Sequence, residues 1–509
     1  MKISNKRIVS LFLSLVLILG IVLTPMGSKA FAEESKVKKL TIVHVNDVHG
    51  RIKEGDYDGM GFSRLQTKVK ELREQNPNLI LLNAGDTIHG LPIVTVSRGE
   101  AMIKLMNEMN FDAMVPGNHD FNYGYDRLVE LKDIAEFPMI GANIVKEDGT
   151  KDFKDYIVKE VDGLKVGIFG LATPETKYKA NPKNTEGINF LDPVETAKNM
   201  VEKLQDEKID VIIALTHIGM ADDTDPTTID IANKVEGIDL IVDGHSHTVL
   251  PEGKLVKDTL IVQTGEYTKN IGIVNIEVVD DKITKKEAKL FTKEEGMKLK
   301  EDEEIKKAID KLEEENKVVT DVVIGKTKVN LDGERGNVRT KETNLGNLLT
   351  DSILDLTKAD AVIINGGDIR KSIDVGEITK EDILTMLPFG SYGVVLELKG
   401  IDILNALENG VSAYPETSGG FPQVAGMTFK MDPSKEAGNR IHDLKIQGKP
   451  VDLNKKYKLA TNDFLAAGGD KYESLKNGVL VGEYEALEEI LMDYIEKLGE
   501  VDIKTEGRI

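Results

Sequence analysis

From about residue 38 to residue 280 the chain alternates short, β-branched apolar runs with longer polar stretches suited to helices, and that rhythm leaves few folds open. The strand-sized runs are LTIVHV (40–45), LILLN (79–83), DAMV (112–115), KVGIFG (165–170), VIIAL (211–215), LIVD (240–243) and LIVQT (260–264). Strands separated by helix-length segments pair in parallel and need cover on both faces, so the pattern predicts a layered α/β domain. A second mixed α/β region runs from about 321 to 509, with glycine pairs at Gly366–Gly367, Gly419–Gly420 and Gly468–Gly469 that make turns or let backbone approach a ligand. Between the two, residues 293–317 are nearly all charged or helix-favouring with few apolar positions. They predict a solvated helix joining two domains, although an ordinary surface helix of either domain fits the segment equally well. The expected organisation is a leader over 1–32, a first domain over 33–290, a linker helix over 291–320 and a second domain over 321–509.

The leader is read from Lys2, Lys6 and Arg7, an uncharged run from Ile8 to Leu23, and small residues at Ala30 and Ala32, the layout of a cleaved export signal. As a membrane anchor the run is shorter than the roughly 20 residues that span comfortably. The expectation is a secreted protein, in the medium, the cell envelope or a periplasm, whose mature form has no membrane span. Its four cations leave with the leader, taking the formal charge from −21 to −25. A surface so acidic excludes nucleic-acid polymers and anionic membranes as partners, because it lacks the basic stripe that phosphate backbones require. With no cysteine in the chain, thiolate chemistry and cysteine–metal sites are also excluded.

The residues just past each strand carry the chemistry. LTIVHV runs into NDVHG, with Asp47 and His49; LILLN into AGDTIHG, with Asp86; DAMV into PGNHD, with Asn118 and His119; VIIAL into THIG, with His217; LIVD into GHSHT, with His245 and His247. In a parallel sheet those ends lie together at one edge, where such folds place their sites. One histidine at a strand end is usually a hydrogen-bonded structural residue, and Asp or Asn there is commonly a turn former or cap. Independent turn chemistry gives no reason to collect histidines at so many strand ends in a chain with only eight. Imidazole and carboxylate suit zinc, manganese or cobalt, and seven ligand positions are too many for one ion with an open position. Two ions sharing a carboxylate fit better.

Asp47-x-His49, Gly85–Asp86, Gly117–Asn118–His119–Asp120 and Gly244–His245–Ser246–His247 resemble the calcineurin-like metallophosphoesterase signature, a four-layer fold. The resemblance implies two divalent ions, one held by Asp47, His49, Asp86 and His247, the other by Asp86, Asn118, His217 and His245. It implies that His119 is the unliganded catalytic histidine facing the phosphoryl group, with a water activated between the ions attacking phosphorus in line.

In the second region NVRTKETNLGN (337–347), NGGDIR (365–370), LPFG (387–390), GGFPQVAG (419–426) and NDFLAAGGDKY (462–472) resemble the C-terminal domain of 5′-nucleotidases, so that with the first set the likeness spans the whole mature chain. It implies that Arg339 and Arg370 bind substrate phosphate, Phe389 and Phe464 stack on the base, Asp470 holds ribose hydroxyls and Asn365 contacts the base. Taken singly, those arginines read as surface charges and the phenylalanines as core.

The chain departs from the family pattern in places. Asn122 stands where an aspartate commonly orients the catalytic histidine, Asp368 where glycine is usual, and Ser391 where asparagine is common. HDFNYGYD (119–126) also resembles 2′,3′-cyclic-nucleotide phosphodiesterases. His44, His89 and His442 match no ligand position. The expected function is a secreted 5′-nucleotidase releasing nucleoside and phosphate. The alternatives are a 2′,3′-cyclic-nucleotide phosphodiesterase with 3′-nucleotidase activity, a nucleotide-sugar hydrolase, and a non-enzymatic surface-binding protein, against which the complete ligand set argues. Oligomeric state is not set by the sequence.

Overall fold

The computed structural model describes residues 37–509 except 56–57, 178, 181 and 221–225; the expected leader over 1–32 lies outside the described residues. All seven strand-sized runs form strands. They fall into two sheets. The first has the order Lys282–Thr292, Asn270–Val279, Lys38–Val45, Ile80–Asn83, Ala113–Met114, parallel across the last three and antiparallel across the first three. The second has the order Lys254–Val256, Thr259–Val262, Leu240–Val242, Val211–His217, Leu164–Ala172, Tyr156–Val161, with a parallel centre and antiparallel edges.

Period-two alternation explains why the sheets stack. Leu40 and Ile42 of one strand face inward with Ile80, Leu82, Val274 and Ile276 onto Val166, Ile168, Ile213, Leu215 and Val242 of the other sheet. Val43 and Val45 point the opposite way, under a helical layer that includes Phe62, Leu65, Met102, Met106 and Leu128. On the far side Phe169, Leu171, Ile212 and Ile241 meet Val194, Ala197, Val201, Leu204 and Ile231. Helix, sheet, sheet, helix is the four-layer fold expected from the motifs.

The second half has a five-stranded sheet in the order Pro422–Ala425, Ala361–Asn365, Lys456–Asn462, Tyr392–Lys399, Val479–Ala486. Helices Asn344–Thr357 and Leu487–Leu498 cover one face through Leu345, Leu349, Ile353, Leu487 and Leu491, and helix Gly400–Gly410 covers the other through Ile403, Ala406 and Leu407.

The charged segment between the halves contains helix Glu303–Thr320, started by Asp302, whose carboxylate accepts from the N–H groups of Glu304 and Ile305. Its few apolar residues are placed for packing: Ile305 and Ile309 are buried in the cluster beneath the first sheet's helices. Lys70 pairs with Asp302, and Asn316 donates to the carbonyl of Ile93, so the helix lies along the first half. Among the described residues no helix is long and apolar enough to cross a membrane.

Candidate active site

The loops beyond the strands are threaded together by backbone hydrogen bonds. Asp47 N–H donates to Gly85 C=O at 3.0 Å and His49 N–H to Asp86 C=O at 2.9 Å. Asp120, from the NHD stretch, accepts from the N–H groups of Asp86, Thr87, Ile88 and Gly117 at 2.8–2.9 Å, and so fixes the loop that carries Asp86. Burial and the neighbouring Asp86 push the Asp120 carboxyl up to about 6. No side chain fits at Gly85 or Gly117: a Cβ would stand 2.6 Å from His217 Nδ1 in the first case and 2.2 Å from Asp86 Oδ1 in the second.

These contacts gather the predicted ligands into two adjoining clusters, Asp47, His49 and His247 in one and Asp86, His217 and His245 in the other. Asp86 Oδ2 joins them, 3.1 Å from His217 Nε2 and 3.9 Å from His49 Nε2. Asn118 Oδ1 lies 3.3 Å from His217 Nε2. Asp47, His49, Asp86, Asn118 and His217 are at most 5% exposed. Asp47, His49, Asp86, His245 and His247 all have positive φ, between 47° and 76°, a region that costs non-glycine residues on the order of 1–3 kcal/mol each and that clusters at functional sites.

The donor set suits cations. His217 Nδ1 donates to the carbonyl of Ala84 at 2.7 Å and His247 Nδ1 to Glu266 Oε2 at 2.7 Å, so each turns Nε2 inward. The inward nitrogen of His247 is 3.4 Å from His49 Nε2 and 3.4 Å from Asp47 Oδ1, two imidazoles converging on one carboxylate. Burial opposes the charged forms of His217 and His247, but Asp86 and Asp47 respectively outweigh it and hold each near 10. The carboxylates thus demand positive charge at the positions where a divalent ion would sit. His245 Nε2 is bonded to Glu175 Oε2 at 2.9 Å, and its backbone N–H donates to Asp47.

His119 stands beside the clusters, 4% exposed, with its N–H donated to Asp86 Oδ1. Burial lowers its imidazole to about 3, Asp86 pulling the other way, so the ring is neutral. Asn122 Nδ2 donates to His119 Nδ1 at 3.2 Å and reaches His89 Nδ1 at 3.4 Å, while His89 Nε2 donates to Glu489 of the second half at 3.1 Å. The amide in place of an aspartate therefore leaves the His119 proton on Nε2, the outward nitrogen.

The nucleotide-site residues expected in the second half also come together. Arg370 lies with its guanidinium 5.3 Å from the Phe389 ring centre, and Phe389 and Phe464 are 45% and 44% exposed, far from core phenylalanines. Burial and the charges of Arg335 and Arg370 press down the Arg339 pKa, with Asp470 opposing, so three guanidiniums and a carboxylate share one region. Three clustered cations suit a polyanionic group. Arg335 was missed by sequence reading; its signal is the i, i+4 spacing to Arg339. Asn365 is 2% exposed, with its amide bonded to Asn462 and Asp470. Ser391 accepts from Leu487 N–H through its backbone.

The two groups of residues meet at an interface. The Tyr392 ring packs 4.5 Å from His119, Glu483 reaches the same histidine, and Arg51 donates to the carbonyl of Phe389 at 3.3 Å.

Comparisons with known proteins agree with this geometry. Residues 40–249 match the calcineurin-like phosphoesterase model, and residues 323–477 match the 5′-nucleotidase, C-terminal domain. The chain is 35% identical over 92% of its length to the trifunctional nucleotide phosphoesterase protein YfkN of Bacillus subtilis, and spans about a third (35%) of that longer protein. It is 31% identical to protein UshA of Escherichia coli, covering 92% of this chain and 93% of that one. Among solved structures, a 5′-nucleotidase precursor from Thermus thermophilus is similar at 32% identity and a TM-score of 0.56, over 92% of this chain and 98% of the other. With a metallophosphoesterase sandwich, two clusters of metal-ligating side chains and a second domain matched along most of its length, the chain belongs to the 5′-nucleotidase family of metal-dependent nucleotide phosphohydrolases.

Proposed function

We propose that the protein is a secreted, two-metal hydrolase of 5′-nucleotides, exported by residues 1–32, with a catalytic domain over 33–290, a linker helix over 291–320 and a substrate domain over 321–509. Asp47, His49, Asp86 and His247 would hold one ion, and Asp86, Asn118, His217 and His245 the other; zinc, manganese and cobalt all suit the donors. When bound, the ions supply activation of water and neutralisation of phosphoryl charge. The residues of the chain do the rest. Glu266 and the carbonyl of Ala84 fix the tautomers of His247 and His217. His119, neutral and carrying its proton on Nε2, donates to a phosphoryl oxygen and then to the leaving ribose oxygen. Asn122 keeps that proton on the outward nitrogen. Arg335, Arg339 and Arg370 hold phosphate on the substrate domain, Phe389 and Phe464 flank the base, and Asp470 accepts from ribose hydroxyls.

The observation that carries this reading is the pair of adjoining clusters joined by Asp86, with a neutral histidine beside them. The test is a phosphate-release panel on the purified protein, metal-stripped and reconstituted, across 5′-, 3′- and 2′,3′-cyclic nucleotides and nucleotide sugars. Release from 5′-nucleotides only after reconstitution supports the reading, and release without added ions refutes it. A second reading, a broader nucleotide phosphoesterase acting on cyclic substrates, is favoured by Asn122 within HDFNYGYD and by the likeness to a relative named as trifunctional. The cyclic-nucleotide arm of the panel separates the two.

A further inference from the structure

Asp368 stands out in the sequence, yet neither the metal clusters nor the arginine cluster uses it. It is 6% exposed, and burial, helped by the neighbouring acids Asp463 and Asp470 and opposed by the Asn462 amide, pushes its carboxyl up to about 7. An acid held in such surroundings needs a partner that rewards it.

The partner is Asn462, whose Nδ2 donates to Asp368 Oδ2 at 2.6 Å and to Asn365 Oδ1 at 2.9 Å. The Asn462 amide has no freedom to lie the other way round. Its oxygen accepts from the N–H of Leu465 at 2.8 Å, capping the short helix Asp463–Ala466, so both of its amide hydrogens must face Asn365 and Asp368. Asn365, accepting through its oxygen, is left with Nδ2 toward Asp470 Oδ2 at 3.2 Å. A continuous chain therefore runs from Asp368 through two amides. One end is the Asp470 carboxylate, and the other is the helix that carries Phe464.

We propose that Asp368 is a positioning residue of the nucleoside pocket. It holds Asp470 for the ribose hydroxyls and Phe464 for the base in one fixed register. This rests on the nucleotide reading above and adds to it a residue that touches no substrate. Without an acceptor at 368, one buried Asn462 N–H loses its partner, the amide is held by two bonds in place of three, and both ends of the chain loosen together.

The test compares wild type, Asp368→Gly and Asp368→Asn by calorimetric binding of adenosine, by kinetics with adenosine 5′-monophosphate and p-nitrophenyl phosphate, and by thermal melting. Asp368→Gly is expected to weaken adenosine binding and raise KM for the nucleotide about tenfold, with kcat and p-nitrophenyl phosphate turnover changing less than about threefold. Asp368→Asn keeps an acceptor oxygen and should restore most of the loss. The proposal is overturned if Asp368→Gly binds adenosine like wild type, or if both substrates lose equally with a lowered melting temperature, which marks plain structural support. Wild type that cleaves p-nitrophenyl phosphate but binds no adenosine defeats the nucleotide reading itself and the proposal with it.

Discussion

The carboxylate of Glu483, from the second half of the chain, stands 3.5 Å from Nε2 of His119, the imidazole that neither ligand cluster employs. Burial lifts Glu483 to about 8, with Lys179 opposing, and the Tyr392 ring closes over the same imidazole. The outward side of His119 is thus covered by two residues that stand outside the proposed nucleotide pocket. On the proposed mechanism, the second half would have to shift for the pocket of Phe389 and Phe464 to reach the place now held by Glu483 and Tyr392.

Loosening that cover should show in the rate. Glu483→Ala combined with Tyr392→Ala, which removes both the carboxylate and the ring, is expected to raise kcat/KM for p-nitrophenyl phosphate about threefold to tenfold, because on the proposed mechanism a small ester needs only the metal half. A rate at or below wild type would show that the contact does not limit access.

Asp86 sits between both clusters, so its loss should empty the site rather than merely slow it. Asp86→Ala is expected to abolish turnover and lower bound metal by elemental analysis, whereas chelated wild type recovers with zinc, manganese or cobalt. A fully loaded and active variant would refute a shared carboxylate.

For His119 the expected signature is the reverse. His119→Asn should retain metal while kcat falls by about 10²–10⁴-fold, the range typical of a lost proton donor. Unchanged kcat would remove His119 from the chemistry.

The aromatic pair separates substrates. Phe389→Ala with Phe464→Ala should raise KM for nucleotides at least tenfold and leave p-nitrophenyl phosphate within about threefold, given roughly 1–3 kcal/mol per stacked base. Equal losses on both would make the rings supports of the fold.

Stability should fall with alkalinity. Glu488 is 1% exposed, with no other side chain among the described residues hydrogen-bonded to its carboxylate, and burial raises its pKa well above the ordinary 4.5. The folded state keeps a proton that the unfolded chain releases near 4.5, so this contribution is complete below that pH and is lost as pH rises toward the folded value. Glu488→Gln should melt about 2–5 °C higher than wild type at pH 8 and close to it at pH 4.5. A gain that is equal at both pH values would point to packing instead.

How much of this could be read from the sequence depended on separation along the chain. The candidate ligand positions are legible because each ends or follows a strand, and parallel pairing brings such ends together whatever lies between. The left-handed backbone at Asp47, Asp86 and His245 left no trace, since residue type alone does not reveal φ outside glycine. His89 looked idle because its partner Glu489 lies in the other half, and no local pattern connects them. Asp120 looked like part of a motif, whereas its work is to accept four backbone N–H groups. The charged segment fits a solvated linker and an ordinary surface helix equally well from sequence, because apolar residues are sparse; Ile305 and Ile309, one turn apart, dock the helix on the first half and match the second of these.

The site also takes its donors from both sheets: Asp47, His49, Asp86 and Asn118 come after strands of the first, and His217, His245 and His247 end or come after strands of the second. Ions ligated as proposed would therefore clasp the sandwich across its seam, in a chain with no cysteine to do so covalently. Prising the sheets apart would mean losing both ions at once, so opening would be slow and infrequent wherever free metal is plentiful. In surroundings rich in proteases, the catalytic centre would then set how long the molecule lasts as well as what it cuts.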